Sequence, residues 1–184
     1  MTHFYRGQYS SLQSLVLYDT GEDLEETQRL FFLSNGAHLT RIDFTSNGTA
    51  RTRFCSLPID SLSDLTHVAV LSKARPTAQW YSSLPSSVRH LHVRAYIHGE
   101  DVVSRLVKHL DDEVCGSSGV PFRYIHVDDW SWSDELENGS QRTGLMVGSA
   151  HKLGKRRGIS LLDEKGLSLE LSLKPVSNCA LLDG

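Results

Sequence analysis

The sequence predicts an α/β solenoid, with short parallel strands on its concave side and helices or turns on its convex side. Three observations favour this fold class. A six-residue pattern with apolar residues at its first, fourth and sixth places recurs along the chain. Its copies are separated by 23 to 34 residues, a spacing typical of units that combine one strand with one helix or turn. Several of the intervening stretches have helical periodicity or turn residues.

Five copies of the pattern have all three apolar places filled. They are LQSLVL from Leu12, LTRIDF from Leu39, LTHVAV from Leu65, VRHLHV from Val88 and FRYIHV from Phe122. The end of each copy alternates apolar and polar residues, as expected for a strand with one buried face. A looser sixth candidate is SLELSL from Ser168, and FCSLPI from Phe54 is interpreted as accidental because Pro58 cannot donate to a strand ladder.

Two intervening stretches predict helices. Residues 99–116 place valines and leucines on one helical face and end at Gly116, a residue that commonly terminates helices. Residues 21–36 begin with acidic residues, which suit the helix dipole, and end at Asn35 and Gly36. A shorter helical turn is expected over residues 75–85, with Trp80 in the packing. Such units cannot bury their own apolar faces, so neighbouring units must stack.

Composition indicates one compact domain over residues 1–184. The chain has 19 Lys and Arg against 22 Asp and Glu, so bulk charge argues neither for nucleic acid nor for an anionic membrane as a partner. No apolar run is long enough to cross a bilayer, and no CxxC pair is present among the three cysteines. We therefore expect an intracellular protein, cytoplasmic or nuclear, with free thiols and no cofactor.

The repeats LTHVAV and VRHLHV, the second preceded by LPSS, resemble the leucine-rich repeat family, specifically the irregular repeat region of fungal F-box proteins. The resemblance covers roughly Leu12 to Leu173 and implies a single irregular domain of five or six units. It also implies a protein-binding module, the substrate-recognition part of an F-box-like ubiquitin-ligase factor. No segment of this chain resembles an F-box itself.

In this family the residues between the strand leucines face the concave surface. The resemblance implies, when the family's concave positions are assigned to each copy of the pattern, that His67 lies beside His90 and His92 beside His126. Arginines then surround the four histidines. The resulting partner-binding set is Arg41, His67, Arg89, His90, His92, Arg94, Arg123, Tyr124 and His126. Arginine suits bidentate capture of carboxylate or phosphate, which favours an acidic or phosphorylated partner. The same residues could also form an ordinary solvated face. A third alternative is a zinc site, although no Cys or Glu is placed to complete its coordination shell.

No catalytic motif is present: the sequence lacks GxSxG, HExxH and GxGxxG. We therefore expect no enzyme, no catalytic residue and no metal. Two alternatives stay open. One is a non-catalytic scaffold or truncated paralogue without its own ligand. The other is a hydrolase or metal-binding protein that uses the histidines.

Three further stretches carry expectations. In DDWSWSDELE, Trp130 and Trp132 are either interface anchors or cover for the edge of the core, and the second is preferred. HKLGKRRG, residues 151–158, is interpreted as a solvated loop rather than a nuclear or nucleic-acid patch. Residues 138–165 interrupt the pattern and are expected to be an insertion. The apolar chain ends are poor caps, which favours end-to-end self-association or origin within a longer chain.

Overall fold

The chain is an α/β protein with a six-stranded, all-parallel sheet whose strands lie side by side in sequence order. A computed structural model describes residues 11–19, 25–46, 59–70, 80–81, 83–94, 120–139 and 141–172. The strands are β1 (Ser14–Asp19), β2 (Arg41–Ser46), β3 (His67–Val70), β4 (His90–Arg94), β5 (Tyr124–Asp128) and β6 (Ser160–Leu162). The helices are α1 (Glu25–Asn35), α2 (Trp132–Asn138), α3 (Gln141–Arg157) and α4 (Leu169–Ser172), with 3-10 turns at Gly36–His38 and Ile59–Ser61.

The five full copies of the sequence pattern coincide with β1 to β5, which confirms those five strands. The register is also confirmed, because equal places of successive copies are paired. The third places align in the order Ser14, Arg41, His67, His90 and Tyr124. The fifth places align in the order Val16, Asp43, Ala69, His92 and His126. Residues at equal places are therefore lateral neighbours about 4.8 Å apart.

The sixth predicted strand is wrong. SLELSL contributes the short helix α4, and the sixth strand is β6, in which Ser160 pairs with Tyr124. In that register the first apolar place is Gly158 and the sixth is Asp163, so β6 keeps only Leu161 of the pattern. Without the first and sixth apolar residues, the sequence signal for this strand was too weak to detect.

The apolar residues of the pattern form the core on one face of the sheet. The fourth-place residues Ile42, Val68, Leu91 and Ile125 are fully buried, as are the first-place residues from Leu39 to Phe122. Phe32 of α1 and Met146 of α3 belong to the same core, so these helices pack against the apolar face. Each such side chain contributes about 1.5–3 kcal/mol relative to exposure.

The elements between the strands agree with several of the sequence predictions. The helix expected over residues 21–36 is observed as α1, and Trp80 is buried in the core. Both Trp130 and Trp132 are buried, with their rings edge to face at 5.7 Å, so they cover the core rather than forming exposed anchors. Outside the described residues lie the helix predicted for 99–116, residues 54–58 of the FCSLPI match, the three cysteines and both chain ends; Ile59, the last residue of that match, begins a 3-10 turn.

The stretch 138–165, expected to be an insertion, contains α3 and the sheet strand β6. The loop predicted for HKLGKRRG is wrong, because residues 151–157 are the last two turns of α3. That helix ends where Gly158 adopts a left-handed conformation (φ 63°), which only glycine adopts at little cost. Within the described ranges, no helix is both long and apolar enough to cross a membrane.

Asp163 joins the turn after β6 to the start of α2. Its carboxylate is buried and accepts hydrogen bonds from the backbone N–H groups of Trp132 (3.3 Å), Lys165 (2.9 Å) and Leu167 (2.8 Å). Burying a charged group is costly unless hydrogen bonds replace its hydration, and here three donors do so. Asp163 thus replaces the apolar sixth-place residue of the other units with a polar anchor.

We expect Asp163→Ala to lower the free energy of unfolding by about 1.5–3 kcal/mol, because hydrogen bonds to a buried carboxylate are lost. Urea unfolding followed by tryptophan fluorescence measures this change. The matched control is Glu164→Ala, since the Glu164 side chain is exposed and only its backbone N–H is bonded, to the Trp130 carbonyl. Equal stability of the two variants would contradict the anchoring role.

Candidate functional site

Four histidines from three neighbouring strands lie together on the face of the sheet opposite the core. We call His67, His90, His92 and His126 the histidine cluster. The rings of His67 and His90 stack with centroids 4.2 Å apart and an interplanar angle of 4°. The rings of His92 and His126 stack in the same way, at 4.2 Å and 5°. This stacking follows from the parallel register, which places equal side chains one strand spacing apart.

The two stacked pairs are linked to each other. Nδ1 of His90 and Nε2 of His126 form a hydrogen bond of 2.9 Å, so one nitrogen carries the proton and the other accepts it. The Tyr124 ring stacks on His90 at 4.9 Å and is itself largely open to solvent. Five rings therefore form one continuous aromatic surface on β3, β4 and β5.

Burial and crowding favour the neutral form of His67, His90 and His126. Desolvation, together with the neighbouring His92, His90 and His67, lowers the pKa of His126 to about 4, against the opposing effect of Asp128. Desolvation and the positive charge that His90 and His92 would carry lower the pKa of His67. The pKa of His90 is lowered by desolvation and by His92. Near neutral pH these three imidazoles are uncharged hydrogen-bonding groups.

The His92 side chain is mostly buried, with 15% of its surface exposed. Its Nδ1 lies 3.7 Å from a carboxylate oxygen of Asp128. Its Nε2 is buried and has no hydrogen-bond partner in the part of the chain that is described. A buried ring nitrogen without a partner is unfavourable, so this atom is an energetic cost of packing the four rings together.

Arg41, one of the predicted binding residues, lies beside the cluster but is already paired. Its Nε and Nη2 donate to the two carboxylate oxygens of Asp43, at 2.7 and 3.1 Å. The two residues are two apart on β2, so their side chains extend from the same face of the sheet. The bidentate pair largely compensates the charge of Arg41.

Arg89 and Arg123 are not part of the aromatic surface. Each immediately precedes its strand, and together with Arg157 they line a cleft at the edge where β4, β5 and β6 begin. Sequence reasoning missed Arg157, although it belongs to HKLGKRRG, the only basic cluster it identified. Arg94 lies on β4 with its backbone opposite Asp128. Its side chain lies outside the described residues.

In the hydrogen bond of 2.9 Å, Nδ1 of His90 and Nε2 of His126 are used on each other. Among the described residues, no group of three or more His, Cys, Asp or Glu side chains is arranged to hold a metal.

The hydroxyl nearest the cluster is not arranged as a nucleophile. Thr66 Oγ1 lies 2.9 Å from His67 Nδ1, but it also donates to the Thr40 carbonyl at 3.2 Å. Because the hydroxyl proton is directed to the backbone carbonyl, His67 is placed to donate to this oxygen rather than to activate it.

Comparison of the chain with protein-family models, with curated proteins and with solved structures finds no match. The site is therefore interpreted from its own residues. Those residues form a polar aromatic surface with a paired arginine on one side and a cleft lined by arginines at the N-terminal edge of its strands.

The lowered pKa of His126 predicts a pH-dependent stability. The unfolded chain takes up a proton near pH 6.5, whereas the folded chain does so only near pH 4, so stability is full above 6.5 and falls as the pH drops towards 4. We expect His126 to account for a loss of roughly 1–3 kcal/mol across this window. Urea unfolding at pH 7.5, 6.0, 5.0 and 4.0 measures it.

His126→Gln should flatten this dependence, because an amide does not titrate in the window. His38→Gln is the control, since His38 is exposed at the end of a 3-10 turn and away from the cluster. Carboxylates are the same in all three proteins, so their acid titration cancels in the comparison. A slope in His126→Gln as steep as that of the wild type would refute the assignment.

Proposed function

We propose that the chain is a leucine-rich-repeat-like solenoid of five or six units that binds a protein partner on its histidine-bearing, concave face. The order and register of the strands support the repeat interpretation, since each unit adds one strand beside the last. The stacked histidine cluster carries the functional part of the proposal. It is the one large aromatic surface of the described sheet that is not used in the core.

Aromatic rings on the open face of a sheet suit recognition of an extended chain. They offer a flat apolar area together with ring nitrogens that donate or accept hydrogen bonds. Tyr124, at 40% exposure, has the ring most available for contact, and aromatic side chains of this kind are enriched in binding interfaces.

The charges favour an acidic or phosphorylated partner. Asp43 is neutralised by Arg41, so it does not oppose an anion at the cluster. A carboxylate or phosphate brought against the imidazoles would favour their protonated form and raise their lowered pKa values. Binding would then take up protons, and affinity would increase as the pH falls. In this proposal the domain recognises a substrate for an F-box-like ubiquitin-ligase factor.

We expect a fluorescein-labelled hexaglutamate peptide to bind at least threefold more tightly at pH 5.5 than at pH 7.5, because binding supplies the anion that stabilises protonated histidines. Fluorescence anisotropy at constant ionic strength measures the two affinities. The double variant His90→Gln and His126→Gln should bind with no such increase, whereas His38→Gln should behave as the wild type. Equal pH dependence in the double variant would reject the histidine face as the binding surface.

A pull-down from cell extract tests for a protein partner directly. The wild type, the double variant and His38→Gln are compared by quantitative mass spectrometry. Proteins that bind the wild type and the control but are depleted at least fivefold by the double variant support the proposal. Partners retained equally by all three proteins would place binding elsewhere, and no specific partner at all would favour a scaffold without its own ligand.

A further inference from the structure

A cleft of about 410 Å³ lies at the edge of the sheet where the last three strands begin. Its charged lining is three arginines, Arg89, Arg123 and Arg157, and its apolar lining is Val120, Pro121 and Ile159. The volume falls in the range of about 300–1,000 Å³ that is common for small-molecule sites. No acidic side chain belongs to the described lining.

The fold itself brings the three arginines together. Arg89 and Arg123 immediately precede β4 and β5, and the backbones are joined there by a hydrogen bond from Tyr124 N–H to the Arg89 carbonyl (3.0 Å). Arg157 is the last residue of α3, and the left-handed turn at Gly158 brings the chain into β6. Each of the last three strands is thus preceded by one arginine at the same edge of the sheet.

Two of these arginines have N–H donors available to a bound ligand. Arg89 Nη1 donates to the carbonyls of Ser86 (2.7 Å) and Pro121 (3.4 Å), which holds the guanidinium at the cleft while its Nε and Nη2 donors make no hydrogen bond within the described residues. The Arg123 side chain makes neither a hydrogen bond nor an ion pair in the part of the chain that is described. Three permanently charged groups around one cleft repel one another, and an anion would relieve that repulsion.

We propose that this cleft binds an organic phosphomonoester. A phosphate dianion has oxygens enough to accept from the open donors of Arg89 and Arg123, and its charge complements the three guanidinium groups better than that of a monoanion. The backbone N–H groups of Arg123 and Ser160 are not available to bind the phosphate, because they donate hydrogen bonds within the sheet. The volume exceeds that of phosphate alone, and the apolar lining suits an attached organic group.

This site differs from the proposed partner surface, because a small phosphomonoester suffices to occupy it and no histidine takes part. The ligand has two possible sources, a free small molecule or a phosphorylated side chain of a protein. Both present the same phosphomonoester group, and the two are separated by the probes below.

Isothermal titration calorimetry at pH 7.5 tests the proposal with phenyl phosphate, phenyl sulfate and inorganic phosphate. We expect phenyl phosphate to bind at least tenfold more tightly than the other two, because it alone combines the dianion with an apolar group. Arg123→Ala and Arg157→Ala should each weaken phenyl phosphate at least tenfold. Arg123→Lys keeps the charge but loses the fork, and should weaken it by a smaller factor of three or more.

Lys155→Ala is the matched control, since Lys155 is an exposed cation on the same helix as Arg157. Undetectable binding of phenyl phosphate, or equal loss in Lys155→Ala and Arg157→Ala, would overturn the proposal. Circular dichroism spectra and thermal unfolding of every variant exclude a misfolded protein as the cause of a loss, and Arg123→Lys provides a second test where an alanine variant unfolds.

Two further measurements distinguish the two possible sources of the ligand, and the cleft from the partner surface. The pentapeptide Gly-Gly-phosphoserine-Gly-Gly supports a phosphorylated protein if it binds as tightly as phenyl phosphate, and a free small molecule if it binds tenfold more weakly. The variant His90→Gln and His126→Gln should retain phenyl phosphate binding. In the wild type, phenyl phosphate binding without hexaglutamate binding would reject the partner surface alone, whereas hexaglutamate binding without phenyl phosphate binding would reject the cleft alone.

Discussion

The in-register parallel pairing of strands about 4.8 Å apart is the constraint on which the rest of this structure depends. Because equal places of successive units are paired, the fourth-place residues Ile42, Val68, Leu91 and Ile125 meet in one core. The same pairing stacks His67 on His90 and His92 on His126 on the other face. A shift of one residue in a single strand would exchange its two faces, burying histidines and exposing leucines. The core therefore fixes the geometry of the site without contributing a side chain to it.

This arrangement imposes a protonation state on the imidazoles. Partial burial disfavours a charged imidazole, and neighbouring imidazoles at these distances repel when charged, so the pKa values of His67, His90 and His126 are lowered. The hydrogen bond between His90 and His126 requires one acceptor nitrogen, which reinforces the neutral state. The cluster is stable as an uncharged aromatic surface, and its charge depends on what is brought against it.

The strands and their register could be predicted from sequence because they follow from spacing and alternation, which are local and periodic. The contacts between rings of different strands follow only once strand neighbours are placed, whereas Arg41 and Asp43 pair along a single strand. β6 was missed since Gly158 and Asp163 replace two of its apolar residues, and the backbone donors that satisfy Asp163 come from turns with no sequence period. Arg157 was visible as a basic residue, but its approach to Arg89 and Arg123 depends on where α3 ends.

The polar surface of the sheet has an arginine-lined region and a histidine-bearing region, which carry positive charge at different pH. Arg89 directly precedes His90 and Arg123 directly precedes Tyr124, so the arginine-lined edge and the aromatic surface are consecutive parts of the same strands. Near neutral pH the arginines are charged, whereas the three imidazoles with lowered pKa values are not. As the pH falls, positive charge extends from the edge along β3, β4 and β5. The sheet thus has a permanent anion-attracting region at its N-terminal edge and a conditional one beside it, both set by the same strand register.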